Sequence, residues 1–183
     1  MQDEGYIKFQ IHREEAPAPV SEELFSLRQR AYEAGLIGVY PDGVGFGNAS
    51  VRHPLPKHPH AFLITATATG GFKRLSANDV VLVKDCRPET NEVWCRGLKN
   101  PSSESMTHHV VYRCLPQVQR VLHAHHRQTW EKLLRELPHT PADVPYGTPA
   151  MARAVEELLQ NPLVLQAGRF AMAGHEEGVV FFW

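Results

Sequence analysis

Two histidines spaced one residue apart, His123 and His125, constrain this chain more than any other feature. They close the run V-Q-R-V-L-H-A-H-H from Val118 to His126. The run is β-type in character, and successive side chains of a strand point to opposite faces. His123 and His125 would therefore share a face and present two imidazoles side by side. Such a pair is half of a divalent-metal site, which needs a third and a fourth ligand from elsewhere in the chain. The bland alternative is a strand with two surface histidines, and the pair alone does not exclude it.

Length and charge narrow the partners. With 183 residues, 43% hydrophobic and 21% charged, the chain has the composition of one globular domain with a real core. A formal net charge of −1 without a basic block argues against nucleic acid or an anionic membrane as the main partner. No apolar run has the length of a membrane span, and the opening M-Q-D-E-G-Y-I-K has no apolar h-region. Cys86, Cys95 and Cys114 are odd in number and widely spaced. They read as small hydrophobes of a reducing compartment rather than as disulfides or a metal knuckle, and a cytoplasmic location is expected.

Residues 1–19, with the A-P-A-P run, read as a loose lead-in, and residues 20–183 as a single domain. Ser21 followed by two glutamates predicts a helix N-terminus, with an apolar stripe running to about Gly35. A glycine-rich turn then feeds short strands, including residues 60–67 and Val80 to Val83, the latter pairing with Glu92 to Arg96. Pro101-Ser102-Ser103-Glu104 opens a serine-capped helix to about Cys114, and further helices are predicted over Trp130 to Leu137 and from Thr148-Pro149 to about Gln160. The tail reads as two strands joined around Gly174 to Gly178. Interleaved helices and strands without strict βαβ order suggest a layered α/β sandwich with a mixed or mostly antiparallel sheet.

His175, on the tail turn, is a candidate third imidazole. Glu104, at the start of the helix leading into the histidine strand, is a candidate fourth ligand or an acid/base group. Three small-residue turns, Gly47-Asn48, Thr69-Gly70 and Ser102-Ser103, offer backbone N–H groups, hydroxyls and a helix N-terminus, a set suited to a phosphate. Any one of these turns taken alone is better explained by ordinary turn chemistry. His108, one helical turn after Glu104, is either a partner of that acid or a packed histidine. His109 and His126 are read as structural, and Glu176 and Glu177 as turn residues, one of which can orient the His175 imidazole.

Five blocks in order, G-F-G-N-A-S-V-R, L-I-T-A-T-A-T-G, P-S-S-E-S-M-T-H, V-L-H-A-H-H and A-G-H-E-E-G, resemble the class II aldolase/adducin family. The resemblance runs from about Gly35 to the C-terminus. It implies a three-layer αβα sandwich around a mostly antiparallel sheet, and a zinc-dependent aldolase or lyase acting on a small ketose phosphate through a metal-stabilised enediolate. His123, His125 and His175 would hold Zn²⁺, or another divalent ion such as Mn²⁺ or Co²⁺. Glu104 would be the acid/base carboxylate, touching the metal when no substrate is bound. Gly47, Asn48, Thr69, Gly70, Ser102 and Ser103 would bind substrate and phosphate. A homotetramer is implied as well. Within the same family, an epimerase, a dehydratase, a decarboxylase or a non-catalytic adducin-like binding domain are the alternatives. No tyrosine follows Tyr146, whereas related aldolases contribute a C-terminal tyrosine to the site, and this departure leaves the reaction type open.

Overall fold

A computed structural model describes residues 6–183. Its centre is an eight-stranded sheet in the order β1-β7-β6-β5-β4-β8-β10-β9. The strands are β1 (Gln10–Glu14), β4 (Asn48–Arg52), β5 (Phe62–Thr65), β6 (Val80–Arg87), β7 (Glu92–Arg96), β8 (Arg120–His125), β9 (Arg169–Ala171) and β10 (Gly178–Phe182). Only β1 and β7 pair in parallel; every other neighbour is antiparallel. Two short strands, β2 (Gly38–Val39) and β3 (Gly45–Phe46), form a separate hairpin.

Alternation along the strands builds a core on each face. Phe62, Ile64, Val81, Val83, Val121, Val180 and Phe182 pack with α2 (Ser105–Cys114), α4 (Pro149–Leu158) and α5 (Pro162–Ala167). Leu63, Val80, Leu82, Ala49, Val51, Leu122 and Ala124 pack with α1 (Glu22–Glu33) on the opposite face. Beside them α3 (Arg127–Glu136) contributes Leu133 to a cluster with Ala171 and Val179. The result is the layered α/β architecture with a mixed central sheet that the sequence predicts.

The helix starts follow local rules. The Ser21 side chain accepts from Leu24 N–H, and Thr148 and Asn161 do the same for α4 and α5, each followed by proline. Three expectations need correction. The lead-in is not loose along its described part, because β1 closes one edge of the sheet; residues 1–5 lie outside the described residues. The helix expected to reach about Gln160 stops at Leu158, and Asn161-Pro162 begins a further helix, α5, that the sequence reading lacks. The helix after Pro101 is not serine-capped: its N-cap is Glu104, whose side chain makes no cap bond.

Candidate metal centre and anion cleft

The β8 register carries both histidines to the same face as Val121, the face covered by α2. His125 is the last residue of β8, and β10 runs antiparallel beside it, with Gly178 opposite His125. The turn before β10 therefore delivers His175 to the same place. A Cβ at Gly178 would come within 2.5 Å of the His175 ring, so only glycine lets this turn fold so close. The three Nε2 atoms converge: His123 and His125 are 3.1 Å apart, His123 and His175 3.2 Å, His125 and His175 3.1 Å.

Three imidazole nitrogens at these spacings form a triangle matched to one ion. Tetrahedral zinc with Zn–N near 2.1 Å places its ligand nitrogens about 3.4 Å apart. All three rings are buried, and burial drives each toward the neutral, metal-ready form. Burial pushes His125 down to about 4, and holds His123 and His175 well below the usual histidine range, with neighbouring imidazoles adding in the same direction. Among the described residues, this is the one cluster of three or more potential metal-binding side chains whose donor atoms converge, and Glu104 is not part of it.

Glu104 is nevertheless an unusual carboxylate. It is 1% exposed, and neither oxygen makes a hydrogen bond of good geometry among the described residues. Burial raises its pKa to about 7, although the nearby Thr107 hydroxyl and Lys8 pull it back. Removing a carboxylate from water without pairing it is costly, so the position favours a group that exchanges its proton near neutrality.

A small polar cleft lies one strand over. Gly47, Asn48, Thr69, Gly70, Ser102 and Ser103 line a single cleft together with Gly45 and residues 66–68. Asn48 on β4 pairs directly with His123 on β8, which joins cleft to cluster. Gly47 has φ +73°, and a Cβ there would come within 2.9 Å of Ile37 and of the Leu36 carbonyl and 3.1 Å of the His123 carbonyl, so a side chain is excluded both by conformation and by space. Ala68, in the middle of the second turn, also has φ +59°, a left-handed value that a residue with Cβ adopts at a cost. Thr69 donates its hydroxyl to Ala66 O at 2.7 Å, and Ser102 Oγ accepts from Glu104 N–H at 3.2 Å. The Asn48 side-chain oxygen is buried and unpaired among the described residues.

Four residues at the site have no signal in the sequence pattern. Arg28 of α1 is fully buried and donates Nη2 to the carbonyls of Thr69 (3.0 Å) and Gly70 (2.9 Å), gripping the second turn from behind. Tyr40 stands 2.8 Å from His125 Nδ1 and donates to Glu177 at 3.1 Å. Tyr146 packs its ring 4.6 Å from that of His175, and Lys8 from the lead-in lies over Tyr146 at 3.9 Å. The Glu177 carboxylate meets the Tyr40 hydroxyl and Arg127, so the imidazole it bears on, through Tyr40, is that of His125. His108 is not placed as a partner of Glu104: it is fully buried, with Nδ1 at 2.7 Å from Ser50 Oγ, which in turn meets Tyr112. His126 is structural as expected, capping α3 by accepting from Thr129 N–H.

Known proteins share this arrangement of elements. The family profile described as the Class II Aldolase and Adducin N-terminal domain matches residues 23–130. Among solved structures, L-fuculose 1-phosphate aldolase superposes with a TM-score of 0.63 at 19% identity, over 92% of this chain and 76% of that one. YgbL from Klebsiella pneumoniae gives 0.59 at 22% identity, over 88% of this chain and 77% of that one. A sugar-phosphate aldolase from Thermotoga maritima gives 0.57 at 17%, over 87% and 82%. At these identities the likeness is one of fold.

Proposed function

The chain belongs to the class II aldolase and adducin family, and from that premise we propose that it is a divalent-metal-dependent aldolase or lyase acting on a small phosphorylated sugar. The observation that carries the reading is the convergence of His123, His125 and His175 Nε2 atoms within 3.2 Å, beside a polar cleft. Held by these three histidines, a cation such as Zn²⁺ supplies Lewis-acid stabilisation of negative charge on a substrate oxygen.

The rest of the chemistry is assigned to the protein's own groups. The cleft takes the phosphate: backbone N–H groups of the Thr69-Gly70 turn and hydroxyls of Ser102 and Ser103 bind its oxygens, and Asn48 orients the sugar next to His123. Binding energy at the phosphate then positions the carbons that react. Glu104, with a pKa raised to about 7, is the acid/base that moves a proton at the substrate. Burial excludes bulk water from that proton, which keeps the exchange with substrate. Epimerisation, dehydration and decarboxylation begin from the same groups, so the alternative within this reading is another reaction on the same substrate class. The adducin-like scaffold reading gives no account of three neutral buried imidazoles meeting at one point. A homo-oligomer and a cytoplasmic location belong to the same proposal; among the described residues no helix is long and apolar enough to cross a membrane.

A panel of ketose and aldose phosphates incubated with the Zn²⁺-loaded chain tests this, with aldehyde release and isomer exchange both read out. Turnover of at least one phosphorylated sugar, abolished by chelator, is the expected result. Absence of turnover across the panel, or equal turnover of unphosphorylated sugars, contradicts the substrate class.

A further inference from the structure

If His123, His125 and His175 hold a cation as proposed, His125 must keep its Nε2 lone pair free for it, and the groups behind its Nδ1 decide whether it does. Tyr40 follows β2 in the tight turn to β3, where its N–H donates to Val44 O at 2.8 Å and its carbonyl accepts from Gly43 N–H at 2.9 Å. The ring packs on Phe46, with centroids 4.6 Å apart, and meets the His125 ring edge-on at 6.0 Å. Phe46 itself lies 5.5 Å from the His125 ring. The hairpin thus clamps this imidazole with two aromatic rings and offers one hydroxyl to its Nδ1.

The proton inventory fixes the direction of each bond. Glu177 is paired with Arg127, Nε to Oε1 at 2.9 Å, and an ionised carboxylate only accepts. The single Tyr40 hydroxyl proton therefore goes to Glu177 Oε2, 3.1 Å away. What the hydroxyl presents to His125 Nδ1, at 2.8 Å, is a lone pair. Nδ1 must then carry the imidazole proton, and Nε2, which faces His123 and His175, is left bare. Glu177 holds this post at a backbone cost. Its φ is +65°, in the left-handed region, and its carbonyl accepts from His126 N–H at 3.0 Å. A turn residue with no further task has no need of that conformation together with two side-chain partners.

We infer that Tyr40 and Glu177 are positioning residues that lock His125 in its Nδ1–H tautomer, so that the His125 Nε2 lone pair is permanently presented to the cation. Arg127 anchors the outer end of the relay, and Tyr40 transmits it. Partners of this kind behind a ligating histidine typically contribute 10- to 100-fold in metal affinity. Tyr40 acts through His125 and is not itself a proton donor to substrate, because its hydroxyl is committed on both sides.

The test uses the full chain, stripped of metal and checked for folding by circular dichroism. Long-range ¹⁵N–¹H correlation spectra of the histidine rings report the tautomer, and competition with a chromophoric chelator reports Zn²⁺ affinity. Wild-type His125 is expected as the Nδ1–H form. Tyr40→Phe removes the lone pair, so His125 becomes a mixture of tautomers and Zn²⁺ binding weakens by about 10-fold or more. Glu177→Gln provides the second variant. A Gln side chain both donates and accepts, which frees the Tyr40 hydroxyl to reverse, and His125 again becomes mixed while the packing is kept. An Nε2–H tautomer in the wild type, or an unchanged Nδ1–H tautomer in a folded variant, overturns the inference whatever the affinity does. A wild-type chain that takes up no Zn²⁺ refutes the proposed function instead, and the tautomer spectra still decide the relay.

Discussion

Asn48 on β4 is paired directly opposite His123 on the neighbouring strand β8, so the polar cleft and the imidazole cluster meet at one rung of the sheet. Directly opposed residues of antiparallel strands share a face at short range. Backbone pairing of β4 with β8 therefore holds one wall of the cleft at a fixed distance from the histidines.

The first prediction separates metal binding from proton transfer. His123→Ala and His125→Ala each remove one corner of the triangle and are expected to abolish tight Zn²⁺ binding. Glu104→Gln keeps the triangle and removes the titrating group, so Zn²⁺ stays bound while turnover falls by about 10²- to 10⁴-fold, the usual contribution of a positioned acid or base. Metal content and kcat, measured on the same preparations, check both. A Gln variant with full activity removes Glu104 from the mechanism.

Gly70 tests the cleft. A Cβ there would meet the Gly38 carbonyl at 2.4 Å and the Phe46 carbonyl at 2.7 Å, both backbone atoms. Gly70→Ala is expected to cost about 1–3 kcal/mol, as overpacking does, and to weaken phosphate-dependent substrate binding. Urea midpoints and KM for the best sugar phosphate measure the two effects.

Arg28 tests the same turn from behind. Arg28→Met keeps the buried volume but leaves the Thr69 and Gly70 carbonyls without their donor. A loss of about 1–3 kcal/mol is expected from the unsatisfied acceptors, together with a raised KM. An unchanged KM with an equally large stability loss assigns Arg28 to the core alone.

Stability against pH carries a sign. Burial lowers His108 and His109 to about 3, against roughly 6.5 in an unfolded chain. Both are neutral in either state above pH 6.5, where their contribution is complete. As pH falls below 6.5 the unfolded chain takes up protons that the fold refuses, so stability is lost progressively down to about pH 3, by about 2 kcal/mol per histidine at pH 5. Glu104 works oppositely, since its raised pKa gives stability that is present below about 4.5 and lost as pH rises through about 7. The histidines outnumber it, and the metal-free chain is expected to weaken on acidification. His109→Gln removes one titrating group and flattens the urea midpoint against pH; an unaltered slope contradicts the burial account.

What could be read in advance follows from period and order. Alternation along β8 placed His123 and His125 on one face, and the small-residue turns marked the cleft, because both signals are local. Helix caps at Ser21 and Thr148 are local too. Arg28, Tyr40 and Tyr146 escaped because their partners lie far along the chain: 41 residues from Arg28 to Thr69 and 85 from Tyr40 to His125. No periodicity encodes such contacts. The β1 strand escaped for another reason. Q-I-H-R-E has no clean apolar alternation, and as an edge strand it gets its pairing from β7 on one side only. Serine capping before α2 fails because Ser102, two positions before the Glu104 N-cap, spends its side chain on a turn with Glu104 N–H.

The central claim is that His123, His125 and His175 together form one divalent-metal site. Equilibrium dialysis of the metal-stripped chain against Zn²⁺, followed by elemental analysis, tests it most directly. About one tightly held ion per chain is predicted for the wild type, falling to background in His175→Ala. A wild-type chain that retains no Zn²⁺, Mn²⁺ or Co²⁺ after dialysis, or a His175→Ala variant that binds as the wild type does, contradicts the account.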